Sequence, residues 1–214
     1  RKYYVCNEVI RSDFYEQTWH KKEGLRLVSI NNGELYKGFD TILLAAHSLT
    51  KKGFSFVWDV YGISANAPII KIVEEILGYS FNENNVRFNG KKTASELAKE
   101  LSRATFYVHP SHVDNSPNSL CEAQIVGTPT VSTYIGGIPS LVKDGFTGYL
   151  FDDGDFEQLS NIIAGKYMLD DELNNISLNA KHVALLRHDR RGIVENLLKT
   201  YQEIILDFNE YTDK

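Results

Sequence analysis

Short apolar segments that alternate with longer amphipathic segments constrain the fold of this chain more than any other feature of its sequence. Strands are predicted at 25–30, 54–60, 85–88, 105–109, 130–133 and 147–151. Helical periodicity predicts helices at 38–52, 69–77 and 93–103, another that begins near Pro117, and three further helical segments from 155 onward. Strands separated by helices of this kind are typical of βαβ units, whose parallel sheet is buried on both faces.

Right-handed crossovers turn such a series into an α/β fold with one doubly wound, Rossmann-like domain. We predict a lead-in segment at 1–24, the domain itself at 25–190 with a mostly parallel sheet, and a C-terminal helix at 191–214. Such sheets bind ligands at the carboxyl ends of their strands. The residues that follow predicted strands should therefore gather at one edge, and they are Lys37, Gly62, Gly90, Asp114 and Gly136.

Composition excludes several classes of protein. A net charge of −5 argues against a sequence-blind nucleic-acid binder, which would be basic, so no nucleic-acid partner is expected. No apolar run approaches the roughly 20 residues of a membrane span. Cys6 and Cys121 have no metal-type spacing and are expected to be free thiols in a reducing compartment. We therefore expect a cytoplasmic protein, with a peripheral position at a membrane left open.

The stretch 109–138 carries most of the information about function. Ser116 is a suitable N-cap and Pro117 suits the first helical position. The backbone N–H groups of Asn118, Ser119 and Leu120 should then point out of the positive end of the helix, which is an anion site. Asp114 precedes this helix start, and Glu122 follows it at an expected exposed position on the same face as Asn118. A nucleoside diphosphate, with phosphates near a hydroxyl-rich ring, suits this layout.

A capped helix start with one surface glutamate is also common in proteins without such a ligand. In this chain, however, the whole stretch resembles the donor-binding motif of the retaining glycosyltransferases with the GT-B fold (glycosyltransferase family 4, glycosyl transferases group 1). That motif has two acids separated by seven residues, and here Asp114 and Glu122 take their places. A Gly-x-Pro-x-Val strand entry and a Gly-Gly-Ile-Pro turn follow in the same order, at 127–131 and 136–139.

The resemblance extends over about residues 5 to 165. Upstream, Val5, Asn7 and Phe14 resemble the segment that leads into this domain in the family. Downstream, the runs 142–151 and 154–155 resemble the family's Val-x-Asp-Gly-x-Thr-Gly-x-Leu and Gly-Asp segments. This is the C-terminal, donor-binding half of the family's enzymes. The N-terminal half, which binds the acceptor and usually carries a catalytic histidine, is missing from the resemblance.

The phosphate-binding segment of the family is matched only in part. The family usually has Gly-Arg-x4-Lys-Gly after the first strand, and its Arg and Lys bind the diphosphate of the donor. Lys37 and Gly38 match the end of this pattern, but Asn32 stands in place of the arginine. One fixed positive charge is therefore missing. Arg87 or Lys91, after the third predicted strand, could replace it.

The resemblance implies a role for each of these residues. Lys37 and the amides of Asn118, Ser119 and Leu120 would bind the departing diphosphate, Asp114 a hydroxyl of the donor sugar, and Glu122 the ribose hydroxyls. The parent enzyme would transfer a hexosyl group from a nucleotide diphosphate sugar to a saccharide or lipid-linked saccharide, with retention by front-face substitution. Catalysis would rest on positioning and charge stabilisation, with no cofactor and no metal. This chain alone would be inactive.

Three other interpretations remain open. His109, His112 and Asp114 have nitrogen and carboxylate ligands that suit zinc, but their spacing matches no known ligand motif, and no metal is expected. A nucleotide-sugar-binding module without activity would fit Asn32 and Asp114 as signs of a degenerate site. The third is another Rossmann-type enzyme, such as a sugar-nucleotide epimerase or a glycogen-phosphorylase-like enzyme. The epimerase would need a glycine fingerprint and the phosphorylase a pyridoxal-binding lysine, and neither signature is found.

Overall fold

The computed structural model describes residue 4 and residues 6–212, with side chains as far as residue 208. The strands are β1 Leu25–Ile30, β2 Phe56–Tyr61, β3 Val86–Phe88, β4 Phe106–His109, β5 Thr130–Thr133 and β6 Tyr149–Phe151. The helices are α1 Ser12–Tyr15, α2 Phe39–Lys51, α3 Pro68–Leu77, α4 Ala94–Leu101, α5 Asn118–Val126, α6 Ile138–Leu141, α7 Phe156–Lys166, α8 Asp170–Arg187 and α9 Arg190–Thr212. Val5 lies outside the described residues.

The predicted α/β class and parallel sheet are confirmed. The described strands form one parallel sheet in the order β3-β2-β1-β4-β5-β6. β1 pairs with β4 through Leu27 with Phe106 and Val28 with Tyr107, although two strands lie between them in sequence. The chain therefore reverses its direction of growth at this pair, which is the position where doubly wound sheets bind ligands.

The central strands are buried on both faces, as the continuous apolar runs predict. Trp58 and Tyr107 are among the largest side chains with no significant exposure. Their polar atoms are satisfied in the core, since the Trp58 indole donates to Ser29 Oγ at 3.0 Å, and Ser29 Oγ donates to the Val108 carbonyl at 2.7 Å. These bonds tie β2, β1 and β4 together below the carboxyl edge.

Three short helical turns were not predicted. They are α1, a 3₁₀ turn at Leu35–Lys37, and α6 in the glycine turn after β5. Each has four residues or fewer, which is too short for a periodic pattern to show in the sequence. The predicted capping box before α4 is confirmed, because Glu96 N donates to Thr93 Oγ1 while Glu96 Oε2 accepts from Thr93 N.

The predicted lead-in is packed onto the domain. Phe14 in α1 is fully buried, and α1 packs against α4 and α5. The Trp19 indole donates to the Ala104 carbonyl at 2.6 Å, and the Tyr15 hydroxyl donates to the His188 carbonyl at 3.1 Å. Among the described residues, no helix combines the length and apolar composition needed to cross a bilayer.

Close backbone approach at Gly38 leads to a stability prediction. Gly38 has φ +76°, and a Cβ there would lie 1.9 Å from the Pro110 carbonyl oxygen. Gly53 has a similar φ of +79° with nothing within 4 Å, so it is a matched control. We expect Gly53→Ala to cost about 1–2 kcal/mol for the left-handed backbone alone. Gly38→Ala should cost about 1–3 kcal/mol more for the overlap.

Urea denaturation of the two variants measures this difference. Equal losses in the free energy of unfolding would show that the β4 loop can move away from Gly38.

Candidate functional site

The residues predicted to gather at the carboxyl edge of the sheet do so. Gly62 N donates to the Gly90 carbonyl at 2.7 Å, across the ends of β2 and β3. A Cβ at Gly136 would lie 2.0 Å from the Asp114 carbonyl oxygen, which places the glycine turn after β5 against the loop after β4. Lys37 Nζ lies 2.7 Å from Asp114 Oδ2 and joins the loops after β1 and β4.

Backbone hydrogen bonds fix the loops that carry Lys37 and Asp114. The Tyr36 carbonyl accepts from His112 N at 2.7 Å and from Ser111 Oγ at 3.0 Å. On the other side, Gly137 N donates to the Asp114 carbonyl at 3.3 Å. The loop after β4 is thus held from both neighbouring loops, and Asp114 faces Lys37 across the point where strand order reverses.

Asp114 is a strongly acidic carboxyl. Burial by itself would raise its pKa, but the contacts with His109 and Lys37 outweigh burial and lower the pKa to about 2. His109 Nε2 lies 3.3 Å from Asp114 Oδ2, although it has no well-aligned hydrogen bond. Burial lowers the pKa of His109, so its ring is neutral at pH 7. Asp114 and Lys37 therefore form a charge pair beside an uncharged imidazole.

The start of α5 differs from the prediction by one residue. Pro117 and not Ser116 is the N-cap, with φ −70° and ψ 113° and no side-chain cap, so the predicted Ser116 cap is wrong. Pro117 fits this position because an N-cap has extended backbone. Leu120 N donates to the Pro117 carbonyl at 3.0 Å and is therefore not a free donor. For the N–H groups of Asn118 and Ser119, no acceptor is found among the described residues.

The side chain of Ser119 is also fixed. The Tyr107 hydroxyl on β4 donates to Ser119 Oγ at 2.8 Å and lies 3.3 Å from His109 Nδ1. Burial raises the pKa of Tyr107 above its ordinary range, so the phenol stays protonated and remains a donor. The first turn of α5 is thereby tied to the end of β4.

Glu122 is buried, and the expectation of an exposed position is wrong. Only 6% of the residue is exposed, because α1 and α8 both pack on α5. Its carboxylate accepts from Arg11 Nη2 at 2.7 Å and from Arg11 Nε at 3.3 Å. Burial raises the pKa of Glu122, and Arg11 partly offsets this rise. Arg11 was missed because it lies 111 residues earlier and belongs to no local motif.

His112 does not join His109 and Asp114. Its Nε2 lies 2.9 Å from Asp40 Oδ1 and its Nδ1 lies 2.6 Å from Asp153 Oδ1, so the ring bridges α2 and the connection after β6. Burial alone would lower the pKa of His112, but the two carboxylates raise it above its ordinary value. Within the part of the chain that the structure describes, no three metal-ligand side chains converge on one point.

Arg87 and Lys91, the cations proposed to replace the missing arginine, belong to the edge strand β3 and the loop after it, and not to the strands that carry the site. Arg87 is on β3, the edge strand, which is three strand positions from β4. At about 4.8 Å per strand, this separation is roughly 14 Å. Lys91 follows the same edge strand, and Asn32 itself is exposed. Arg11 is the arginine that the structure places beside a predicted donor-binding residue.

The ion pair leads to a prediction about Asp114. Its folded-state pKa is below the unfolded value, so the ionised carboxyl stabilises the fold above about pH 4, and this contribution is lost as the pH falls toward 2. The difference in stability between wild type and Asp114→Asn should shrink over that interval. Lys37→Met should raise the Asp114 pKa toward its usual value, as measured by NMR of the carboxyl carbon.

Lys21→Met is the control, since it removes the partner of Asp170 on another surface. An Asp114 pKa that stays at about 2 in Lys37→Met would show that Lys37 does not hold this carboxylate.

The sequence of this chain is similar to known proteins. The model of the family described as "Glycosyl transferases group 1" matches residues 11–183, which is well over half of the chain. The putative colanic acid biosynthesis glycosyltransferase WcaL of Salmonella typhimurium is 26% identical over 187 residues, covering 84% of this chain and 45% of that protein. The amylovoran biosynthesis glycosyltransferase AmsK of Erwinia amylovora is 27% identical over 145 residues, covering 65% and 35%.

A solved structure shares the fold. Anabaena Alr3699/HepE in complex with UDP-glucose superimposes with a TM-score of 0.72 at 22% identity, covering 85% of this chain and 49% of that one. The chain therefore spans between about a third and a half of the length of these three proteins.

Proposed function

The chain belongs to the glycosyl transferases group 1 family, and we propose that it is the donor-binding half of a retaining hexosyltransferase that uses a nucleotide diphosphate sugar. One observation carries the proposal. Lys37 and Asp114 face each other at 2.7 Å across the reversal of strand order, beside the N-terminus of α5. A cation, a carboxylate and free helix amides at such a crevice suit a ligand that combines phosphates with hydroxyls.

The diphosphate would lie between Lys37 and the first turn of α5. The N–H groups of Asn118 and Ser119 point along the positive end of that helix, and Lys37 adds a full charge. Leu120 contributes its buried side chain to the helix start, not a free amide. We propose that these groups stabilise the leaving diphosphate without a metal or another cofactor.

The hydroxyls of the ligand would be bound by the two acids. Asp114 would accept from a hydroxyl of the donor sugar, and its low pKa keeps it an acceptor at any physiological pH. Glu122 lies further along α5 and would accept from the ribose hydroxyls. Retention would then rest on positioning of the donor against an acceptor, with front-face attack and proton transfer to the leaving phosphate.

The acceptor would be held by a second half that these motifs do not include, and it would be a saccharide or a lipid-linked saccharide. The relatives named above are a putative colanic acid biosynthesis glycosyltransferase and an amylovoran biosynthesis glycosyltransferase, and their names support a role in polysaccharide biosynthesis. The likeness to a UDP-glucose complex supports a nucleotide sugar as the ligand.

A binding module without transfer activity is the second candidate. The observation that favours it is the Lys37–Asp114 pair itself, because Lys37 is already neutralised and Asn32 adds no charge. Both candidates require that the chain binds a nucleoside diphosphate, and titration with UDP and with GDP tests this requirement. If neither nucleotide binds, both candidates fail.

Lys37 is expected to act on phosphates alone. In Lys37→Ala, affinity for UDP or GDP should fall about tenfold, while affinity for uridine or guanosine changes little. Titration calorimetry measures both ligands of each pair. Lys52→Ala is a control of the same type, since Lys52 pairs with Glu157 away from the crevice. Equal losses for the nucleoside and its diphosphate would remove the phosphate role of Lys37.

Glu122 is expected to act on the ribose. Glu122→Gln should weaken binding of a ribonucleoside diphosphate roughly tenfold, which corresponds to about 1.4 kcal/mol. The change is nearly isosteric, and its partner Arg11 is more than half exposed and can be hydrated, so the fold should survive. The 2′,3′-dideoxy diphosphate should bind wild type and mutant alike. Equal weakening for both ligands, or none in a folded mutant, contradicts the assignment.

A further inference from the structure

A buried carboxylate with an exposed partner is the feature that the proposed function leaves unexplained. The Glu122 side chain is 8% exposed, whereas the Arg11 side chain that binds it is 57% exposed. Arg11 immediately precedes α1, outside the sheet and its crossover helices. A buried carboxylate without a partner would be costly. Arg11 supplies the positive charge that balances Glu122, and α5 itself does not supply one.

The contact uses only one of the two carboxylate oxygens. Arg11 Nη2 and Nε both donate to Glu122 Oε1, at 2.7 and 3.3 Å. Among the described residues, no donor is found for Oε2. An ionised carboxylate can accept on both oxygens at once. The arrangement therefore supplies the countercharge and leaves an acceptor unoccupied.

Arg11 is held in place by the domain. The carbonyl of the preceding residue, Ile10, accepts from Arg190 Nη2 at 3.3 Å. The Arg11 guanidinium lies over the Phe14 ring at 5.2 Å from its centroid, and Phe14 is fully buried. Both backbone and guanidinium are thereby anchored, while more than half of the Arg11 side chain stays exposed.

We propose that Arg11 is a positioning residue for the donor, which binds Oε1 of Glu122 and leaves Oε2 to accept the ribose hydroxyls. The inference rests on the proposed function, in which Glu122 is the ribose acceptor. It assigns to the segment before the sheet a part in nucleotide binding. Arg11 acts through Glu122 and does not itself bind the phosphates.

Electrostatics makes this role testable by pH. Burial raises the pKa of Glu122 and Arg11 opposes the rise, so removal of Arg11 should let Glu122 take up a proton at a higher pH. A protonated carboxyl loses acceptor capacity. Besides Arg11, the titratable groups of the described part of the chain that interact electrostatically with Glu122 are Tyr107 on β4 and Cys121 on α5. Burial raises both pKa values, that of Cys121 to about 11, so both groups stay neutral in the working range.

The opposite role for Arg11 would be that of a competitor. If the ribose needed Oε1, Arg11 would have to leave before a nucleotide could bind, and its removal would tighten binding. The unoccupied Oε2 favours the positioning role. The two roles predict opposite signs, so one titration separates them.

The experiment measures binding of UDP and of 2′,3′-dideoxy-UDP to this chain, with the corresponding GDP pair in parallel. Arg11→Met should weaken the ribose ligand about fivefold or more at pH 7 and leave the dideoxy ligand within about twofold. The loss should grow as the pH is lowered from 8 to 5.5. Arg191→Met is the matched control, because Arg191 is an exposed arginine paired with Glu195. It should change neither ligand.

A double-mutant cycle shows whether Arg11 acts through Glu122. In the Glu122→Gln background, Arg11→Met should have no further effect, and this pair removes both charges, so no unpaired carboxylate remains. If Arg11→Met does not fold by circular dichroism, Arg11→Lys decides instead, since it keeps the charge without the guanidinium fork. A ribose-specific loss in Arg11→Lys supports the inference, and unchanged affinity contradicts it.

Three outcomes overturn the inference. They are tighter UDP binding by Arg11→Met, equal losses for ribose and dideoxy ligands, and unchanged affinity in a folded variant. If Glu122→Gln weakens UDP binding and Arg11→Met does not, this inference fails and the proposed function stands. If wild type binds neither UDP nor GDP, the proposed function fails and the inference fails with it.

Discussion

The reversal of strand order between β1 and β4 is the constraint on which the candidate site depends. From β1 the chain passes through α2 to β2 on one side, and from β4 it passes through α5 to β5 on the other. The loops after these two neighbouring strands therefore diverge and leave a crevice between them. Lys37 and Asp114 stand on its two sides. Elsewhere in the sheet, successive connections run in the same direction.

Charge at this crevice is balanced before any ligand arrives. Lys37 neutralises Asp114, His109 is neutral, and Arg11 neutralises Glu122. A diphosphate would have to draw Lys37 away from a carboxylate, and the energy for this would come from its roughly two negative charges together with the amides at the start of α5. A neutral saccharide offers no such exchange. A balanced site of this kind would favour polyanionic ligands over sugars alone.

Much of the fold could be predicted from the sequence, because strand and helix periodicity is local. All predicted strands are found, with bounds that differ by two residues or fewer, and the meeting of Lys37 with Asp114 follows from parallel topology. The burial of Glu122 could not be predicted, since α1 and α8 cover it from positions far along the chain. The contact of Arg11 with Glu122 could not be predicted for the same reason, because the two residues lie 111 positions apart. The shift of the N-cap from Ser116 to Pro117 reflects two adjacent residues that both suit a helix start. The ligand roles of these residues remain predictions.

The docked lead-in has a consequence for the order in which the molecule assembles. Arg11 finds its partner on α5, and Tyr15 bonds to the His188 carbonyl, 173 residues later. During synthesis, α1 emerges from the ribosome long before either partner exists, so Arg11 and Tyr15 lack these two contacts while β1 to β4 and their helices form. The lead-in precedes the sheet in the chain and is nevertheless among the last of these elements to take its place. A chain halted before α8 would carry the strands of the crevice but would lack one of the anchors of its lead-in.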